Sequence, residues 1–163
     1  MTSEQSYREY AGANLERLRR TAFLLCGDWH TADDLTSTVL VKLLRHWKRA
    51  ERFENLDAYV RRMLLTAWLD ERRRPRRRET AMDALPEPPP HEPDADRRLA
   101  VLSLLGSLPP RRRAVLVLRY YLDLSVEETA ATLGVSEGTV KSQAARALES
   151  LRAHVSEGDP LWT

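Results

Sequence analysis

The chain has little that would support catalysis, membrane insertion or covalent cross-linking. Its one cysteine, Cys26, cannot close an internal disulfide. Placed after Phe23, Leu24 and Leu25, it reads as a buried thiol rather than a reactive one. No apolar run approaches the ~20 residues needed to span a bilayer. Residues 1–10 are polar and lack the apolar stretch of a signal peptide. A cytoplasmic protein without membrane insertion is expected. The four histidines, at 30, 46, 91 and 154, are scattered and lack metal-ligand spacing. The six glycines form no phosphate-cradling loop. No nucleophile has an evident base beside it. The expectation is a protein that is not an enzyme and holds no metal and no cofactor. An alternating strand pattern is also missing, which leaves an all-α fold.

What is present is unevenly distributed charge. The net charge is only +2, yet residues 1–80 carry 17 Lys/Arg against 12 Asp/Glu. Residues 81–96 hold five acids and no base, and residues 97–163 nine bases against seven acids. A basic module, an acidic strip and a weakly basic module follow one another, a pattern that points to a polyanionic partner. The acidic strip also holds five of the nine prolines, at 86, 88, 89, 90 and 93. Proline lacks an N–H and fixes φ, so neither helix nor strand runs through it. Like charges add extension. The strip reads as a linker between two small helical domains, with an ordered loop packed on one domain as the alternative. The division is then a helical domain over 1–80, a linker over 81–96, a second helical domain over 97–155 and a tail over 156–163.

In the first module, Leu15, Leu18, Ala22 and Leu25 recur at helical spacing until Gly27 and Asp28 break it. Thr31 to Asp34 forms a capping-box pattern, a hydroxyl followed three residues later by a carboxylate. Leu35, Val39, Leu43 and Trp47 then share a face, with Leu40 and Leu44 beside them. A third helix starts near Asn55 or Asp57, with Val60, Met63, Leu64 and Ala67 as its buried stripe. It runs into six arginines within residues 72–78, an electrostatic footprint for nucleic acid. A solubilising tail is the plainer alternative. Arg61, Leu65, Trp68 and Arg72 share one face by spacing. An indole among cations suits stacking on an unpaired base, and ordinary core packing is the other reading of Trp68.

The second module is more sharply punctuated. An amphipathic helix over 99–105 ends near Gly106, and Pro109-Pro110 opens the next, since a helix's first turn has no use for that N–H. Val115, Leu118 and Leu122, flanked by Leu116, give it an apolar face. Ser125 to Glu128 is a second capping box, Gly134 ends the short helix it opens, and Ser136 caps a last helix running to about Arg152. A short helix, a turn with glycine and a longer helix make a helix-turn-helix signature. On the last helix Val140, Ala144, Ala147, Leu148 and Leu151 form the inner face. Thr139, Ser142, Gln143 and Arg146 recur at i, i+3, i+4 and i+7 on another face. They are types that bond base edges or phosphates: Arg146 suits guanine or phosphate, Gln143 adenine, and the adjacent Lys141 phosphate. A helical hairpin with a solvated face is the alternative. Arg111, Arg112 and Arg113 at a helix N-terminus oppose the macrodipole, which hints at a neighbouring anion, with an ordinary solvated surface as the equal alternative.

These residues carry a resemblance. RTAFLLCGDWHTADDL (20–35), LDAYVRR (56–62), LPPRRRAVLVLRYYLDLSVEETAATLGVSEGTVKS (108–142) and RALESLR (146–152) resemble the extracytoplasmic-function sigma factors, the smallest of the sigma-70 type. The likeness is to a short, actinobacterial-style branch and covers about residues 7–80 and 97–153. It implies two helical domains, regions two and four, joined by a flexible linker. It implies an initiation factor that brings RNA polymerase to promoters and leaves catalysis to the polymerase. The implied partners are core RNA polymerase, promoter DNA and an anti-sigma protein, since relatives are commonly held inactive by one. By resemblance, Asp34, Leu35, Thr38, Lys42 and Arg45 lie at the polymerase contact. Arg61, Arg62, Leu65, Thr66, Trp68, Arg72 and Arg73 serve the minus-ten element. Thr139, Lys141, Ser142, Gln143 and Arg146, with Arg111 and Arg112, serve the minus-thirty-five element. Two departures stand out: Ser37-Thr38 where many relatives carry Gln-Glu or Gln-Thr, and Thr66 where many carry Asn. A stand-alone helix-turn-helix regulator and a polymerase-binding decoy remain as alternatives.

Overall fold

A computed structural model of the chain describes residues 1–73 and 95–156. Among them every regular element is helical, as the missing strand pattern predicts. They fall into two compact units, one within Met1–Ala84 and one within Leu85–Thr163.

The first unit comprises α1 (Ser3–Cys26), α2 (Trp29–Arg45), the single-turn α3 (Trp47–Ala50) and α4 (Leu56–Arg72). Thr2 and Gln5 cap the start of α1 reciprocally. Gly27 ends it at φ 77°, a conformation that favours glycine. The next helix starts three residues earlier than the Thr31 pattern suggests. Asp28 leaves the glycine turn already extended, and its carboxylate accepts from the His30 and Thr31 amides. Thr31 lies inside the helix, and its hydroxyl donates back to Asp28 Oδ2 at 2.7 Å. A carboxylate answers the positive helix end directly, so it wins the cap. Burial pushes the Asp28 pKa up, but these three hydrogen bonds outweigh it and hold the group below its ordinary value.

The core of this unit joins Leu18, Ala22 and Leu25 to Leu35, Val39 and Leu43, and to Trp47, Val60, Leu64, Leu65 and Trp68. Leu15 and Leu44, expected in or beside the apolar stripes, are instead exposed. Side-chain bonds tie α1 across the bundle, among them Tyr7 Oη donating to Leu40 O (2.8 Å), Trp47 Nε1 to Ser6 Oγ (2.8 Å) and Tyr10 Oη to Asp57 Oδ1 (2.7 Å). Cys26 is half-buried rather than buried, its thiol 3.2 Å from Asp28 O.

The second unit comprises α5 (Ala95–Ser107), α6 (Pro110–Leu116) with a π-helical turn over Val117–Tyr121, α7 (Val126–Leu133) and α8 (Glu137–Ser156). α5 begins inside the expected linker and passes through Gly106 instead of stopping there. The remainder of the expected linker, the end of the arginine run and the tail beyond 156 lie outside the described residues. Six consecutive residues, Arg113 to Leu118, are buried. A helix enclosed on all sides is the centre of its domain. One cluster packs Leu108, Leu116 and Ala147 with Leu105, Leu148 and Leu151; another packs Val115, Ala130 and Val140 with Val126, Leu133 and Ala144. Both clusters draw on α8, which fixes its rotation. Leu122 N bonds Val117 O at 3.0 Å to close the π turn, and the Arg119 guanidinium donates to Leu124 O beyond it. Among the described residues no helix is long and apolar enough to cross a membrane.

Candidate functional site

The helix-turn-helix is built as the sequence predicts. Ser125 Oγ accepts from Glu128 N at 3.0 Å, Gly134 turns at φ 67°, and Ser136 Oγ accepts from Thr139 N at 3.1 Å. Val140 and Ala147 are buried, so the opposite side of α8 faces outward. Lys141, Ser142 and Arg146 are exposed there, and Thr139 and Gln143 are half-buried at its edge. Several of these groups are already oriented from within. Thr139 Oγ1 sits 2.9 Å from Ser136 Oγ, Ser142 Oγ donates to Thr139 O at 3.1 Å, and Gln143 Oε1 accepts from Arg112 Nε at 3.2 Å.

The arginine triplet divides by rotation about α6. Arg111 is exposed, and Arg112 is half-buried against α8. Arg113 is buried and donates through one terminal nitrogen to Gly106 O (3.1 Å) and Leu108 O (3.2 Å). It therefore serves the negative C-terminal end of α5, as well as beginning a helix whose own dipole it opposes. The misfit that hinted at an outside anion is, for Arg113, resolved inside the protein.

On α4 the expected face needs correction. Leu65 (3% exposed) and Trp68 (1%) belong to the core, where no base can stack on the indole. Arg61 and Arg72 flank them half-buried, with the Arg72 guanidinium 5.6 Å from the Trp68 ring centre. The outward row is Arg62, Thr66 and Arg73, all exposed and spaced at four and seven residues. On α2, Asp34, Thr38, Lys42 and Arg45 are exposed, but Leu35 is a core residue. The outward face carries two apolar side chains that the motif did not single out, Val41 and Leu44, each about half exposed. Their signal in the sequence is their offset from the Leu35, Val39, Leu43 stripe.

Comparison with known proteins agrees with this geometry. Residues 11–78 match the family model for Sigma-70 region 2, and residues 98–151 that for Sigma-70, region 4. The RNA polymerase sigma-E factor of Streptomyces coelicolor is 37% identical over 156 residues, spanning 94% of this chain and 88% of that protein. The ECF RNA polymerase sigma factor SigL of Mycobacterium tuberculosis is 33% identical over 161 residues, spanning 93% and 87%. The chain belongs to the extracytoplasmic-function sigma factors.

Solved structures share the fold. One is the sigma factor RpoE of Bartonella quintana, crystallised with the anti-sigma factor NepR, with a TM-score of 0.75 at 23% identity over 95% of this chain and 99% of that one. CnrH, in complex with the cytosolic domain of CnrY, gives 0.68 at 22% identity over 96% and 91%. In this sigma factor α2 and α4 fall in the region-two match and the helix-turn-helix in the region-four match.

Proposed function

We propose that this sigma factor binds core RNA polymerase and directs promoter-specific initiation, region two taking the minus-ten element and region four the minus-thirty-five element. The observation that carries the reading is one chain with both matched regions, each presenting an outward polar row: Arg62, Thr66 and Arg73 on α4, and Thr139, Ser142, Gln143 and Arg146 on α8. On α8, Arg146 and Lys141 supply the charge for guanine and phosphate, and the exposed Arg111 on α6 adds to it. On α4 the arginines track the backbone and Thr66 meets the minus-ten base. The exposed α2 face, with the apolar Val41 among Asp34, Thr38, Lys42 and Arg45 and with Leu44 at its edge, docks on the polymerase. An apolar centre with a polar rim is the ordinary anatomy of a protein interface.

Phosphate contacts supply affinity and salt dependence, and base contacts supply the address. Each small domain alone binds weakly. Polymerase engages both, and the residues 81–96 between them raise the effective concentration of the second once the first is bound. Bond formation in RNA belongs to the polymerase, so the chain is not itself an enzyme and acts in the cytoplasm where the polymerase works. An anti-sigma protein is the further partner we assign, in line with the complex in which the Bartonella relative was solved.

Run-off transcription with purified core polymerase on a promoter library tests the reading. Discrete starts that share two spaced upstream motifs are expected only when the protein is added. Core binding without such starts replaces it with a decoy, and an operator footprint by the protein alone replaces it with a stand-alone regulator.

A further inference from the structure

Where α1 meets α4, two arginines gather that no acid of the described residues neutralises. Tyr10, Asn14 and Arg17 recur at i, i+4 and i+7 on α1, and Asp57 and Arg61 at i and i+4 on α4. Tyr10 Oη donates to Asp57 Oδ1 at 2.7 Å, which joins the two rows. Asp57 stands one turn before Arg61, the spacing of a helical ion pair, yet its carboxylate is turned to Tyr10 and the pair does not form. Arg17 has no acid beside it on its own helix: three and four residues away stand Ala13, Asn14, Arg20 and Thr21.

Arg17 is exposed; Arg61 is half-buried, and its Nε is enclosed without an acceptor. An enclosed donor on a charged group is costly when it meets nothing, and it calls for an explanation. The Tyr10 phenol registers both cations. Burial and the Asp57 carboxylate push its pKa far above the ordinary value, and Arg17 and Arg61 both pull it back. Two guanidiniums that act on one phenol share one cleft. With a single carboxylate between them, the cleft keeps a net positive charge.

The planar fork of a guanidinium suits a phosphate. Arg62, the next residue along α4, opens the outward row of Arg62, Thr66 and Arg73. A phosphate of the strand that this row follows is the anion nearest the cleft. We propose that Arg17 and Arg61 clamp one backbone phosphate of the minus-ten element, which extends the DNA surface of region two from α4 onto α1. The proposal rests on the function proposed above, in which α4 faces promoter DNA. The clamp reads no base, so it adds affinity without altering promoter choice.

The test is promoter binding by the full chain with core polymerase, on DNA in which each phosphate across the minus-ten element is replaced in turn by a neutral methylphosphonate. One replacement is expected to weaken binding by the unaltered protein about tenfold, the order of one charge-assisted contact. The same replacement is expected to leave binding by the double variant Arg17→Gln, Arg61→Gln unchanged, while other replacements weaken both proteins alike. In salt titrations the double variant is expected to lose one phosphate's share of the slope, about 0.7–0.9, where two independent contacts lose twice that. Because Arg17 is exposed, Arg17→Gln alone is expected to weaken binding with an unchanged melting temperature, which keeps the test valid where Arg61→Gln disturbs the fold. Identical methylphosphonate profiles for the unaltered and variant proteins overturn the proposal, as does a slope loss worth two phosphates. So does a loss of core binding in Arg17→Gln, which assigns the cleft to an acidic protein segment. If the unaltered protein with core polymerase binds no promoter, the sigma reading itself fails and the clamp with it; promoter binding that ignores Arg17 sinks the clamp alone.

Discussion

The helices α4 and α8 carry the same two kinds of residue, apolar and cationic, yet only α8 shows its outward face openly in the sequence. On α8 the two faces are chemically separate. Val140, Ala144, Ala147, Leu148 and Leu151 stand on one side, and no large apolar residue interrupts the polar row opposite. Spacing alone then fixes the rotation. On α4 the row Arg61, Leu65, Trp68, Arg72 mixes cations with an indole, and the mixture has two physical outcomes. Burying a tryptophan removes the largest apolar area of any side chain, while an arginine at the edge of a core keeps its head in water. The helix accordingly turns Leu65 and Trp68 inward, leaves Arg61 and Arg72 at the margin and puts Arg62, Thr66 and Arg73 outside. A cation beside an aromatic is thus a poor sign of a nucleic-acid face when the aromatic is the bulkiest apolar residue on its helix.

The largest effect that can break this contrast is expected at Trp68. Trp68→Ala empties a fully enclosed site and is expected to cost about 3–5 kcal/mol, enough to unfold much of region two. Thermal unfolding followed by circular dichroism measures it. Arg146→Ala, on the outward face of α8, is expected to change stability by no more than about 0.5 kcal/mol. An unchanged melting temperature in Trp68→Ala, with promoter opening lost, restores the indole to the surface role its spacing suggests.

The second effect separates three adjacent arginines that look alike. Arg113→Met removes the donor to Gly106 O and Leu108 O and is expected to cost about 1.5–3 kcal/mol, the range for a bond made by a charged group. Arg111→Met, at the exposed start of the triplet, is expected to leave stability alone and weaken promoter binding. Chemical denaturation of the two variants side by side checks this. Equal costs at both positions refute the division of the triplet.

These cases mark what was legible. Gly134, Ser125, Ser136 and Pro109-Pro110 each act within their own few residues, through φ, a cap or a missing N–H, so the turns of region four follow from the sequence almost position by position. The fates of Leu65, Trp68, Leu35 and Arg113 depend on what packs against them from other helices, and no local pattern carries that. The Thr31 capping pattern is chemically sound but loses to Asp28, which reaches the same helix end from directly behind the glycine turn. The π turn after α6 has no turn residue to announce it. Val41 shows the limit from the other side: a motif drawn around charged positions passes over the apolar residue at the middle of the same face.

Asp28 offers a smaller and pH-coded effect. Asp28→Ala is expected to cost about 1 kcal/mol as a lost cap. Because the folded-state pKa lies below the unfolded value, the ionised carboxylate contributes fully above about pH 4. That contribution fades as pH falls through the folded value. Asp28→Asn still caps but does not titrate there, so the stability gap between it and the unaltered protein is expected to narrow on acidification. Denaturation midpoints across pH 2–7 measure the gap, and a pH-independent gap shows that the charge adds nothing to the cap.

The smallest effect compares the two DNA-facing helices directly, through salt. Lys141 is exposed on α8 and Arg62 on α4, and neither lies in a core. Each neutralises about one phosphate if its helix faces DNA as proposed, so removing either lowers the slope of log affinity against log salt without altering base preference. The two slopes differ by what the helices hold. Region four meets duplex DNA, where one contact is worth about 0.9 in the slope, and an opened minus-ten element is single-stranded, where it is worth about 0.7. Promoter binding by holoenzyme with Lys141→Ala and with Arg62→Ala, titrated with salt, is expected to show both losses and that order. A slope unmoved by Arg62→Ala but lowered by Arg61→Ala would put the cationic row of α4 back on the Trp68 side and reverse the rotation that distinguishes this helix from α8.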